Sequence, residues 1–78
     1  MISAAQLLAL VRFCDIATKA QRVSADVLVD LRDFETELGA ALVQWVGERP
    51  IPTDLAWSLL PRATLIAAEL EAAQASKH

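Results

Sequence analysis

The sequence predicts an all-α protein of three helices, and two observations carry this prediction. Apolar residues recur every three or four positions along most of the 78 residues, which is the helical period. The composition is 55% hydrophobic but only 5% aromatic, as is typical of helices rich in alanine and leucine. Capping residues and prolines place the helices at about 3–22, 24–48 and 53–75, with an extended linker at 49–52. We expect one domain over 1–78, in which the first two helices form an antiparallel hairpin and the third packs across them.

The first predicted helix begins at a capping box, because Gln6 follows Ser3 at the required spacing. Its apolar face covers well over half of the circumference. A helix that packs against one neighbour needs an apolar arc of roughly 100° or slightly more. We therefore expect this helix to be covered from two directions, and a second subunit is the simplest source of the extra cover. This surplus of apolar surface on the first helix predicts a homodimeric helical bundle.

The second predicted helix, 24–48, separates an apolar stripe from an acidic stripe. Ser24 is its expected cap. Gly39 lies in its interior, where a glycine costs roughly 1 kcal/mol against alanine and suggests a close helix crossing. The expected dimer core combines the apolar stripe with the centre of the first helix: Leu7, Leu10, Val11, Cys14, Val27, Leu31, Phe34, Leu38, Ala41 and Trp45.

The acidic stripe of the second helix is the first candidate for binding a partner. It could bind a basic partner or mimic the charge of nucleic acid, whereas a cation site is disfavoured because carboxylates along one straight helix diverge. The simpler interpretation is a solvated outer face, answered in part by basic residues of the first helix. The candidate residues are Asp26, Asp30, Asp33 and Glu37.

The third predicted helix begins at Thr53 and contains Pro61, which removes a backbone hydrogen bond and either kinks or splits the helix. Trp57 and Leu65 project away from its core stripe and form the second partner-binding candidate, since tryptophan is enriched among interface anchors. The alternative is that a kink at Pro61 rotates Trp57 back into the core. The expected core stripe is Leu55, Leu59, Ala63, Ile66, Leu70 and Ala73.

The side chains that carry most enzyme chemistry are poorly placed in this sequence. Cys14 lies on the apolar side of its helix and is expected to be a buried filler. His78 is the only histidine and the last residue, which disfavours histidine-dependent catalysis. There is one cysteine, no Cys/His cluster for zinc and no glycine-rich phosphate loop. We expect no catalytic residues, no cofactor and no bound metal.

Charge and hydropathy disfavour two classes of partner. The net charge of −3 argues against nucleic acid, which needs a basic surface. Arg12, Asp15 and Lys19 interrupt the first apolar segment, so no stretch suits a membrane span. The N-terminus lacks the basic region and cleavage site of a signal peptide. We therefore expect a complete, small cytoplasmic protein.

The run 31–49, from the Leu31-Arg32 pair to Glu48-Arg49, resembles the helix of small all-helical chorismate mutases, which are intertwined dimers. The apolar position after the Leu-Arg pair comes one residue early, and the chain has too few cationic residues to bind a dicarboxylate. The resemblance implies a small helical enzyme with its site between subunits, and this is the enzymatic alternative.

A non-enzymatic regulator is the function that the sequence favours. We expect a helical homodimer that binds an unidentified protein and modulates it, in the manner of antiactivators and small inhibitors. The mutase type is one alternative. The other is a transcription regulator that contacts DNA, which would need a basic recognition helix that none of the three segments supplies.

Overall fold

A computed structural model describes residues 3–75 of the chain. The described residues are mostly helical, with three helices and one small sheet, so the all-α prediction is confirmed in its broad form. None of these helices is both long enough and apolar enough to cross a membrane. The elements are α1 (Ala4–Thr18), α2 (Ala25–Leu38), β1 (Val43–Val46), β2 (Arg49–Pro52) and α3 (Asp54–Ala75).

α1 begins at the predicted capping box but ends four residues before the predicted end. The Ser3 hydroxyl accepts from the Gln6 N–H at 3.3 Å, and the Gln6 side chain accepts from the Ser3 N–H at 2.8 Å. At the other end, Ala20 has φ 54°, which is left-handed and stops the helix. The Gln21 N–H donates to the Ile16 carbonyl and the Ala20 N–H to the Ala17 carbonyl. These bonds form a Schellman motif with alanine at the position where glycine is usual.

α2 ends at Leu38, so the predicted helix over 24–48 is wrong in its last ten positions. Ser24 takes the N-cap position without the side-chain hydrogen bond. Gly39 has φ 69° and forms the C-cap of α2. A Cβ at Gly39 would meet no atom within 4 Å, so this glycine marks the end of a helix rather than a helix crossing.

The residues after Gly39 form an antiparallel β-hairpin in place of a helix and a linker. β1 and β2 are joined by the two-residue turn Gly47-Glu48, with Val46 paired to Arg49. Gly47 has φ 63°, whereas Glu48 does not have a positive φ, which is the pattern of a type II′ turn. β-branched and aromatic residues in β1 favour a strand, and Pro50 and Pro52 hold β2 extended.

The carboxylate of Glu35, in the last turn of α2, fixes the start of the hairpin. Its Oε2 accepts from the Leu42 N–H at 2.7 Å and from the Val43 N–H at 3.1 Å. Directly after β2, the Thr53 N–H donates to the Leu42 carbonyl at 3.0 Å. Leu42 itself is fully buried. The hairpin is therefore tied to α2 at one end and leads directly into α3 at the other.

α1 lies at the centre of the fold, in contact with α2, α3 and β2. The prediction that its wide apolar face is covered from two directions is confirmed. Both covering helices belong to the same chain, however, so this face no longer requires a second subunit. The antiparallel orientation of α1 and α2 stays a prediction. The fully buried side chains of the core include Leu10, Phe13, Cys14, Leu31, Phe34, Leu42 and Ala56.

α3 is one continuous helix through Pro61, so it does not split there. The Thr53 hydroxyl caps it by accepting from the Ala56 N–H at 3.3 Å. Its most buried residues are alanines, so the predicted stripe is confirmed in part: Ala63 is buried and Leu59 and Ile66 are half-buried. Small side chains let a helix approach its neighbour closely, and the larger residues then lie at the margins. The buried residues are Ala56, Ala63 and Ala67, whereas Leu55, Leu70 and Ala73 are exposed.

Candidate partner-binding surface

Half of the residues assigned to a dimer core lie in the core of a single chain. They are at most 8% exposed, so in this conformation they have almost no surface left for a second copy. Leu7 and Val11 are half-buried, and Leu38, Ala41 and Trp45 are exposed. The five core residues are Leu10, Cys14, Val27, Leu31 and Phe34.

Cys14 behaves as the buried filler that the sequence predicts. Its side chain is fully buried, and burial raises the pKa of the thiol from 9.0 to about 11. The thiolate, which is the nucleophilic form, is therefore scarce at neutral pH. Among residues 3–75, no three His, Cys, Asp or Glu side chains are placed to hold a metal ion. His78 lies outside the described residues.

The acidic stripe does not form one site. Asp26 and Asp30 line a hollow between α1 and α2 together with Arg12 of α1. Asp33 and Glu37 are exposed further along α2. This placement agrees with a solvated face beside Arg12, whereas Lys19 pairs with Asp15 of α1 at 3.2 Å.

Trp57 and Leu65 are both exposed on α3. Trp57 is 41% exposed, so Pro61 does not rotate it into the core. Leu65 is 61% exposed and lines a hollow with Pro61. The two residues remain available as a surface, and neither of them lines a groove with Trp45.

The largest departure from the sequence prediction is Trp45, which is 59% exposed on β1. It lines two neighbouring grooves, and both grooves also include Leu28 of α2. The strand–helix groove is about 350 Å³, and its lining residues are Leu28, Val29, Arg32, Glu35, Val43 and Trp45. The turn groove is about 570 Å³, and its lining residues include Arg22, Val23, Leu28, Trp45, Glu48, Arg49 and Pro50.

Two further apolar residues extend the surface around Trp45. Val29 of α2 is 59% exposed, and Val46 of β1 is 63% exposed. Side chains alternate along a strand, so Val43 and Trp45 share one face of the hairpin and Val46 lies on the other. Both faces meet at the edge of β1, so we define the Trp45 surface as the two grooves together with Val46 on the far side of that edge.

The hairpin leaves one strand edge open at Trp45. The bond from the Thr53 N–H to the Leu42 carbonyl sets the alternation of the ladder, so the pairs Val43–Pro52 and Trp45–Pro50 are not hydrogen-bonded to each other. The N–H and C=O of Trp45 therefore point away from β2. No other hydrogen bond reaches the Trp45 backbone within the described chain.

The same alternation leaves the outer edge of β2 without backbone N–H donors. Pro50 and Pro52 occupy the two outward-facing positions, and proline has no N–H to donate. The outward N–H of Val43 is already bonded to Glu35. Trp45 is thus the position of the hairpin that offers both a backbone donor and an acceptor.

Three arginines surround this apolar surface. Arg32 lines the strand–helix groove, and Arg22 and Arg49 line the turn groove. All three are exposed and form no ion pair with any residue in 3–75. Two glutamates also line the grooves, but Glu35 is engaged by two backbone N–H groups. The surface therefore carries a local cationic excess on a chain of net charge −3.

Sequence reasoning missed this surface because it assigned Trp45 to a helix. The signal that could have found it is the run of Val43, Trp45 and Val46 before Gly47, which fits a strand and a tight turn.

The run 31–49 that resembles a chorismate mutase helix spans α2, a loop and the hairpin rather than one helix. No protein-family model matches this chain, and no curated protein matches it either.

Proposed function

We propose that this chain is a non-enzymatic protein-binding module that modulates its partner, in the manner of antiactivators and small inhibitors, and that it binds with the Trp45 surface. The observation that carries the proposal is the exposure of Trp45 beside Val29 and Val46, outside a core that is complete without them. Tryptophan and arginine are the residues most enriched at interface hot spots, and this surface combines both.

Burial of the exposed part of Trp45 would supply a substantial share of the free energy of binding. At roughly 25 cal/mol per Å² of apolar surface, covering the exposed part of one tryptophan, on the order of 100 Å², contributes about 2.5 kcal/mol. Val29 and Val46 add to this term. The charges of the three arginines add orientation and association rate, and direct bonds to carboxylates of a partner would add affinity.

Site-specific photo-crosslinking in the source cells tests the proposal. A photoreactive amino acid is placed, one variant at a time, at Val46, at Leu65 and at Asp33, which represent the three candidate surfaces. We expect one protein to be crosslinked from position 46 and to escape crosslinking from the other two. Crosslinking from position 65 or 33 but not from 46 would overturn the assignment of the surface.

Self-association is a separate proposal with its own surface. An apolar groove of about 400 Å³ opens where α3 and α2 lie on either side of α1, and its lining includes Leu7, Leu38, Leu59 and Ile66. We propose that a second copy covers this groove, because Leu38 remains 36% exposed there. Sedimentation equilibrium at micromolar concentration should show a dimer that Leu38→Glu dissociates without loss of helicity. A folded monomer throughout that range would exclude this dimer.

A further inference from the structure

We propose that the Trp45 surface binds an extended, acidic segment of the partner, which adds to the outer edge of β1 as a third strand in the strand–helix groove. This inference rests on the proposed function and specifies the chemistry of the ligand. Addition of a strand to an exposed sheet edge is a recurrent way of binding peptides, in which main-chain hydrogen bonds supply affinity and alternate side chains supply specificity.

The open edge at Trp45 determines where the segment binds. Its N–H and C=O point away from β2 and are unpaired within residues 3–75. The other edge of the hairpin cannot take a strand, since Pro50 and Pro52 remove its donors. An added strand would pair with Trp45 through two hydrogen bonds, at the usual spacing of about 4.8 Å.

α2 supplies the second wall of the groove. Leu28, Arg32 and Glu35 recur at intervals of four and three, so they lie on one face of the helix, and all three line the groove with Trp45. The bond between Glu35 and the Val43 N–H closes one end of the edge. The segment therefore extends from Trp45 toward the turn, where Arg22 and Arg49 lie in the adjoining groove.

The lining predicts which side chains the segment carries. Side chains on one face of the added strand would pack on Trp45 and Leu28, which favours apolar residues at every second position. The intervening side chains point to the face of Val46, where its cross-strand partner Arg49 favours carboxylates. Arg22 and Arg32 add positive charge along the grooves, and none of the three arginines forms an ion pair within residues 3–75. The ligand class is an extended peptide in which apolar and acidic residues alternate.

A synthetic eight-residue peptide of alternating valine and glutamate, with blocked termini, tests this inference. Trp57→Phe leaves Trp45 as the only tryptophan, so its fluorescence reports binding. We expect saturable binding and protection of the Trp45 amide from hydrogen exchange. Arg32→Gln should weaken binding at least fivefold, whereas Arg62→Gln, at an exposed position of α3, should leave it within twofold.

Backbone methylation of the peptide separates strand addition from other modes. In an added strand, alternate amides face β1, so N-methylation of one set should abolish binding while methylation of the other set has little effect. Equal binding of both methylated peptides overturns strand addition. No binding of the parent peptide up to about 1 mM also overturns it. So does preferential binding of a single-stranded oligonucleotide over the peptide, which would indicate a phosphate-binding surface.

The two proposals fail in different ways. Crosslinking from position 46 does not depend on the backbone of the ligand. If a partner is crosslinked there but the two methylated peptides bind equally, the Trp45 surface still binds the partner and strand addition is rejected. If no protein is crosslinked from position 46 but one methylated peptide binds and the other does not, the groove remains a peptide-binding site and the proposed function fails.

Discussion

Ala20 closes α1 in a conformation that suits glycine better than alanine. Its φ of 54° lies in the left-handed region, where a Cβ costs roughly 1–2 kcal/mol. Its place in the Schellman motif is the position that glycine usually occupies. Part of the gain from glycine is offset by the greater freedom that glycine gives to the unfolded chain.

Ala20→Gly is therefore expected to raise the free energy of unfolding by about 0.5–1 kcal/mol, as measured by urea denaturation. Ala68→Gly is the matched control, because Ala68 is exposed inside α3. There the same change should lower the free energy of unfolding by about 1 kcal/mol. A loss of stability at both positions would contradict the left-handed conformation of Ala20.

Cys14 gives the fold a dependence on alkaline pH. Burial raises the pKa of the thiol from 9.0 to about 11 in the folded chain. Between these two values the unfolded chain ionises while the folded chain keeps its proton, so the free energy of unfolding falls as pH rises. Below pH 9 both states are protonated and the thiol adds no pH dependence.

We expect Cys14→Ala to lack this component of the alkaline fall. The variant starts from a lower stability, because it removes a buried group, but its curve should decline less between pH 9 and 11 than that of the unsubstituted protein. Denaturation series at several pH values measure the difference. Parallel curves would show that Cys14 ionises equally well in both states.

Glu35 links two elements, since its carboxylate holds the start of the hairpin against the end of α2. Removing it leaves the Leu42 and Val43 N–H groups without their acceptor, next to a fully buried side chain. An unsatisfied buried donor costs about 1–3 kcal/mol. The prediction of one helix over 24–48 excludes this contact between α2 and β1.

Glu35→Ala should lower the free energy of unfolding by about 1–3 kcal/mol in urea denaturation. Asp33→Ala is the control, because Asp33 is exposed on the same helix, and its effect should stay within about 0.5 kcal/mol. Glu35→Gln retains an acceptor oxygen and should fall between the two. Equal effects at positions 33 and 35 would argue against the bond from Glu35 to the loop.

The hairpin shows why the sequence predicts some elements better than others. The apolar residues at positions 41, 42 and 45 fit the helical period of α2, so the helix pattern continues past its true end. The end is decided by Gly39 and Gly47, whose positive φ values favour a helix stop and a tight turn. Caps such as Ser3 and Thr53 were predictable, since they depend on neighbours a few residues away.

At the scale of the whole molecule, the sequence does not predict which element provides the second cover for the apolar face of α1. The width of the apolar face of α1 correctly predicts cover from two directions. Which surface provides the second cover depends on how α3 packs, and the alanines at 56, 63 and 67 allow it to approach α1 closely. The same packing completes the core in one chain and leaves Trp45 outside it.

The candidate site follows from that packing rather than from a motif. Helical periodicity places Leu65 on the exposed side of α3, and of the two alternatives for Trp57 the exposed one is observed. The sequence prediction misplaces Trp45, because its exposure depends on a turn and on contacts between distant elements. The arginines of the grooves come from different elements, so no spacing in the sequence brings them together.

The most direct test of the account is the dissociation constant of the crosslinked partner, measured by calorimetry against the Trp45→Ala variant. A hot-spot tryptophan contributes about 2 kcal/mol or more, so we expect the affinity to fall at least about 30-fold. Trp57→Ala, which removes the other tryptophan, should change the affinity less than about twofold. An unchanged affinity for Trp45→Ala would contradict the central claim that the Trp45 surface binds the partner.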